Sequence, residues 1–158
     1  MDDLVSRALD LAQVKGAGYS DIRVVRTNQE RYVVRNGAVD TLSVDESSGF
    51  GVRVVVNGCW GFASSYDFSP YEVDRVTALA VEIAKASAML ASGPMDIGPP
   101  VTSRGTYTTP IEEDPFSISS DHKLGLLLET DQRMSAVKGI RSRQSSLVFI
   151  KEEKTFAN

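Results

Sequence analysis

Two Asn-Gly dipeptides, Asn36-Gly37 and Asn57-Gly58, constrain this chain more than any other feature. A two-residue hairpin turn needs positive φ at both central positions, which asparagine and glycine tolerate and most residues resist. Around these dipeptides lie short segments rich in β-branched and aromatic residues: Ile22 to Thr27, Tyr32 to Arg35, Val39 to Val44, Phe50 to Val56 and Cys59 to Ala63. The pattern predicts a five-strand antiparallel meander. In the fourth segment Phe50, Val52, Val54 and Val56 share one face, while Gly51, Arg53, Val55 and Asn57 share the other. The first is a core face and the second is mixed.

Helical periodicity brackets the sheet. From Asp3 to Val14, apolar residues recur at spacings of three and four, and Gly16-Ala17-Gly18 stops the run. Ser69-Pro70-Tyr71-Glu72 reads as a helix start with Ser69 as N-cap, Pro70 at the first helical position and Glu72 completing a capping box. Its apolar stripe runs through Val73, Val76, Leu79, Ala80, Ile83, Ala84 and Ser87 to an end near Met89 or Leu90, and should lie across the core face of the sheet. A third helix is expected from about Ser119 to Val137, with Leu124, Leu127, Leu128, Met134 and Val137 on one face. Beyond Gly139 the period returns to strand: Ile140 to Ser145, Leu147 to Lys151 and Lys154 to Ala157.

The fold class is therefore α+β: an antiparallel meander with long helices on one face, then a strap, a further helix and a second β hairpin. By segment this gives an α+β half over 1–90, a Pro/Gly-rich strap over 91–118, and a helix with the start of a second β region over 119–158. Gly93-Pro94, Gly98-Pro99-Pro100 and Pro110 leave Ala91 to Pro110 without helix or ladder, and an extended strap along the surface is expected there. The closing hairpin has no meander behind it, so the chain reads as truncated.

Composition excludes more than it selects. One cysteine and one histidine in 158 residues cannot build a disulfide framework, a cysteine-rich zinc module or a two-histidine metal site. A net charge of -4 argues against nucleic acid, whose affinity comes largely from Lys and Arg on phosphates. No apolar run spans a bilayer and the acidic start is unlike a secretory signal, so a cytoplasmic protein is expected, with no membrane partner. His122 falls in the first turn of the third helix and reads as a solvated residue; Cys59 reads as a small apolar strand residue; Glu112-Glu113-Asp114 reads as a hydrated loop. Gly49 and Gly51 precede a strand and not a helix, so they make no phosphate cradle. Gly51 and Gly61 instead suit places where backbone approaches a packed helix or a neighbouring chain.

The run Ser48-Gly49-Phe50-Gly51-Val52-Arg53-Val54, with Asn57-Gly58-Cys59-Trp60-Gly61-Phe62-Ala63-Ser64-Ser65, resembles the central hairpin of the N-terminal region of the TldD/PmbA family, also called modulators of DNA gyrase. Further matches are Asp21-Ile22-Arg23-Val24, Arg35-Asn36-Gly37, Gly105-Thr106-Tyr107, Asp114-Pro115-Phe116, Lys123-Leu124 and Glu152-Glu153-Lys154-Thr155-Phe156-Ala157. The Trp60 to Ala63 step and the Gly-Thr-Tyr strap resemble the TldD branch more than the PmbA (TldE) branch. His122 departs from the acid often found there.

The resemblance implies a zinc metallopeptidase whose His-Glu-x-x-x-His helix and cysteine ligand lie in a C-terminal half beyond this stretch. None of those ligands has a counterpart here, so the chain itself is expected to hold no cofactor and no catalytic or metal residue, with zinc in the full-length parent. It would serve as a non-catalytic N-terminal region supplying scaffold, dimer contacts and chamber wall for proteolysis of extended peptides. Gly49, Gly51, Arg53, Trp60, Gly61 and Phe62 are the structural and interface candidates. The implied partners are a second copy or a paralogous subunit, and a peptide or protein substrate. Two alternatives stand beside this: a PmbA/TldE-like partner subunit lacking zinc, and a non-enzymatic module that captures an extended peptide on an exposed strand.

Overall fold

The computed structural model describes residues 2–91, 93–95, 98 and 102–158. In chain order the elements are α1 (Asp2–Val14), β1 (Tyr19–Arg35), β2 (Ala38–Val56), β3 (Cys59–Ser65), α2 (Pro70–Ala88), a 3-10 turn (Pro115–Ser117), α3 (Ser120–Ser135) and β4 (Gln144–Ala157). The strands form one antiparallel sheet in the order β3-β2-β1-β4. Both Asn-Gly pairs make the reversals: φ is 50° and 82° at Asn36 and Gly37, and 51° and 76° at Asn57 and Gly58. The second turn sets the register, with Val56 opposite Cys59, Val54 opposite Gly61 and Arg53 opposite Phe62.

The α+β class and the helix-backed antiparallel sheet agree with the sequence reading, but the strand boundaries differ. The five expected strands are three, because β1 and β2 run unbroken for 17 and 19 residues. The polar stretches Asn28 to Arg31 and Asp45 to Ser48 stay extended: the sheet pairs their backbone, and neither holds a positive-φ residue that could turn the chain. For the same reason the expected second hairpin is one 14-residue strand, β4, at the edge of the sheet beside β1.

Two compact units divide the chain, each assembled from separated segments: residues 1–26, 48–103 and 153–158 in one, and 27–47 with 104–152 in the other. In the first, α1 and α2 cover the face of the sheet that carries Ile22, Val24, Phe50, Val52, Val54, Val56 and Ala63. Ser69 caps α2 by accepting a hydrogen bond from the Glu72 backbone N–H at 3.3 Å, with Pro70 in the first turn. The buried arc of α2 is Val73, Val76, Thr77, Ala80, Val81 and Ala84, so the expected Leu79 and Ile83 sit half-exposed at its flank. Small residues occupy the centre of the arc because β3 comes close there, at Gly61. Thr77 is satisfied within the helix, donating from Oγ1 to the Val73 carbonyl at 2.8 Å.

The second unit centres on Tyr32, Val34 and Leu127, with Leu124, Leu147 and Phe149 packed around them. Here α3 departs from its expected stripe. Its buried positions are Lys123, Leu127 and Asp131, whereas Leu128 and Val137 are exposed and the helix ends at Ser135. Both charges are buried because each meets an opposite charge, Glu30 for Lys123 and Arg143 for Asp131.

Of the expected strap, Ser92, Asp96, Ile97, Pro99, Pro100 and Val101 lie outside the described residues. Pro94 rests against Gly58, and the Met95 N–H donates to the Gly58 carbonyl at 2.7 Å. Thr102 to Pro110 are exposed and irregular. Among the described residues no helix is long and apolar enough to cross a membrane.

Candidate functional site: an arginine–aromatic sheet face

In the first unit, the sheet face opposite α2 gathers the polar and aromatic candidates. Alternation along β2 puts Gly51, Arg53 and Val55 on this face, and the β3 register sets Ser64, Phe62 and Trp60 opposite them. Arg53 is held from two sides. Its guanidinium donates to Asp21 Oδ2 from Nε at 2.7 Å and from Nη2 at 2.6 Å, and its Cζ lies 4.6 Å from the centroid of the Trp60 ring. Tyr19 meets the same indole edge-on, with centroids 5.9 Å apart and planes at 87°.

Asp21 is 1% exposed and also lies 3.7 Å from Arg23. A buried carboxylate between two guanidiniums satisfies the requirement that buried charge be paired. Partial burial raises the Tyr19 phenol above its ordinary value, and the hydrogen bond with Asp21 adds to the rise. For Arg53, partial desolvation pulls the other way, but Asp21 and Tyr19 outweigh it and leave the guanidinium raised. Arg23 in turn covers the Phe156 ring of β4, 5.5 Å from its centroid. Phe62 stands exposed beside this group.

The six sequence candidates thus divide by role. Arg53, Trp60 and Phe62 share the open face, together with Gly51, where a Cβ would meet the Phe62 ring at 2.7 Å. Gly61 serves the helix-packed side: a Cβ there would fall 1.9 Å from the Ala80 carbonyl oxygen of α2. At Gly49 a Cβ would reach the Ser65 carbonyl oxygen at 3.1 Å. Tyr19 and Asp21, which complete the arginine clamp, carry no mark in the linear sequence that ties them to Arg53.

The second unit holds a cluster that periodicity missed. Lys123, 2% exposed, places Nζ 2.5 Å from Glu30 Oε2 and over the rings of Tyr32 and Phe149. The Tyr32 hydroxyl donates to Glu30 at 2.9 Å and lies 3.0 Å from Ser120 Oγ. Asp131 accepts from Arg143 Nε at 3.1 Å. The available signal was spacing: Lys123, Leu127 and Asp131 fall at i, i+4 and i+8, so one helix face carries two charges flanking a leucine. With every partner engaged and the lysine sealed from solvent, the cluster docks α3 and offers no free base or nucleophile.

Zinc needs about four converging donors. Cys59 is buried in β3 and His122 is an exposed residue of α3, and among the described residues no three of His, Cys, Asp or Glu come together. The described residues do not fit a metal ion.

Fold and site together define a helix-backed α+β domain with an arginine–aromatic face. Residues 20–88 match the family model described as PmbA/TldA metallopeptidase domain 1. Over that stretch the chain is similar to the TldD/PmbA family. A protein named metalloprotease from Methanothermobacter thermautotrophicus is 25% identical over 140 residues, which cover 89% of this chain and 29% of that protein. Among solved structures, TldE from Thermococcus kodakarensis shares the fold with a TM-score of 0.66 at 12% identity, covering 98% of this chain and 35% of that one. A proposed modulator of DNA gyrase from Bacteroides thetaiotaomicron does so with a TM-score of 0.68 at 16% identity, covering 98% and 38%. The chain spans about a third of the length of these relatives.

Proposed function

We propose that this chain is the non-catalytic N-terminal region of a TldD-like zinc metallopeptidase, a cytoplasmic dimer that cleaves extended peptides. Its work would be scaffold, subunit contact and chamber wall, with zinc held by residues elsewhere in the parent. The observation that carries this reading is the match of residues 20–88 to the first domain of a metallopeptidase family, in a chain whose described residues gather no metal donors. The arginine–aromatic face suits a contact surface, because Arg, Trp and Phe are enriched where protein surfaces meet.

The test compares the 158-residue chain with the full-length protein for bound zinc, by elemental mass spectrometry, and for cleavage of unstructured peptides. Zinc near one equivalent and peptidase activity are expected only in the full-length protein. About one zinc on the short chain would overturn the proposal. The fold shared with TldE supports a second reading, a zinc-free partner subunit. That reading gains if the full-length protein binds no zinc and supports cleavage only when mixed with its paralogue.

A further inference from the structure

Away from the arginine–aromatic face, α1, the start of α2 and the middle of β1 enclose an open cleft of about 460 Å³ within the first unit. That size lies inside the roughly 300–1,000 Å³ range of small-molecule sites. Its floor is apolar: Val73 is fully buried, and Leu4 and Phe68 are half-buried against the core. One wall is fixed, because Arg7 grips Asp74 through two hydrogen bonds of 2.6 Å and both charges are thereby used.

The rim is different. Asp3 and Arg26 both line the cleft, both are exposed, and neither enters an ion pair or side-chain hydrogen bond among the described residues. The cleft therefore offers one free anion, one free cation and an apolar floor. That set complements a molecule with a carboxylate, an ammonium and an apolar side chain held close together.

We propose that this cleft binds a small apolar zwitterion of the amino acid or dipeptide class, with Arg26 receiving the carboxylate, Asp3 the ammonium and the Leu4–Phe68–Val73 floor the side chain. Arg26 can present two parallel N–H donors to a carboxylate, a geometry that lysine lacks. The site does not depend on the metallopeptidase reading, and its test involves no zinc and no cleavage.

The test is calorimetric titration of the 158-residue chain with L-leucyl-L-phenylalanine, its C-terminal amide and its N-acetyl form. The free dipeptide is expected to bind with a dissociation constant between about 0.1 and 10 mM, as befits a small ligand in an open site. Each blocked form should bind about fivefold more weakly, one charge-assisted contact being lost at a partly solvated rim. Arg26→Gln should weaken the free dipeptide by a similar factor and abolish the preference for free acid over amide. Asp3→Asn should abolish the preference for free amine over N-acetyl. Both positions are exposed, and circular dichroism of each variant verifies the fold. The proposal is overturned by a dissociation constant above about 10 mM for the free dipeptide, by equal binding of acid and amide to the unaltered chain, or by unchanged affinity in Arg26→Gln.

Discussion

At position 61 a methyl group has nowhere to go. A Cβ there would lie 1.9 Å from the Ala80 carbonyl oxygen, 2.7 Å from the Ala84 nitrogen and 2.9 Å from the Ala84 Cβ, and two of these three are backbone atoms of α2. Relief would require the helix to lift from the sheet, exposing Val76, Ala80 and Ala84, all of which are fully buried. Gly51, two residues from Arg53 on the other face of the sheet, makes the contrast. Its Cβ would clash with the tip of Phe62, a side chain 57% exposed and free to swing away, and would meet the Ser64 Cβ at an ordinary 3.7 Å. Gly61→Ala should therefore destabilise by about 3 kcal/mol or more, and Gly51→Ala by less than about 1 kcal/mol. Urea midpoints for the two variants decide the matter, and equal losses would contradict the packing described for α2.

At the scale of elements, what the sequence makes legible is local chemistry. Asn36-Gly37 and Asn57-Gly58 declare their turns because two consecutive positive-φ residues have few other uses. Ser69 and Ser119 declare helix starts because a hydroxyl oxygen can accept from a backbone N–H three residues on. Strand length is less legible: Asn28 to Arg31 looks like a break on polarity, yet its backbone is paired within the sheet. The candidate face was half legible, since alternation and motif mark Arg53, Trp60 and Phe62, whereas Asp21 reaches Arg53 only through strand pairing. Lys123 and Asp131 were hidden because apolar periodicity assigns charges to solvent. One element is conspicuous for its exposure: Thr102 to Glu113 has no regular structure, and every residue in it is exposed. Protease access requires such a stretch, because the backbone must leave any ladder to enter a cleft. Brief trypsin treatment should cut first after Arg104, leaving Arg23 and Arg53 in their strands intact; mass spectrometry showing an earlier cut at either strand residue would contradict the sheet described here.

Over the whole molecule, acid should be the weak side of stability, and the carboxylates say where. Lys123 holds the Glu30 carboxyl below its ordinary value of 4.5, with partial burial opposing and the Tyr32 hydroxyl assisting. Arg75, then Ser65, hold Glu72 down to about 2, and Arg7 holds Asp74 below its ordinary 3.8. Each carboxyl is thus more acidic folded than unfolded, so the unfolded chain binds more protons as pH falls, and stability declines with it. The contribution is complete above about pH 4.5 and is lost between there and about pH 2. Glu72 and Asp74 are surface partners of exposed arginines, so solvent and salt screen their share. Glu30 carries more weight, because protonating it leaves the ammonium of Lys123 buried without its counter-ion. The urea midpoint should be level from pH 7 to pH 5 and fall steadily below about 4.5. Glu30→Gln should lower the midpoint at pH 7 by the equivalent of about 3 kcal/mol and flatten the acid decline, since the lost pairing is then absent at every pH. A midpoint that holds or rises from pH 5 to pH 3, or a variant whose decline is as steep as the parent's, would show that the Lys123–Glu30 pair does not anchor α3.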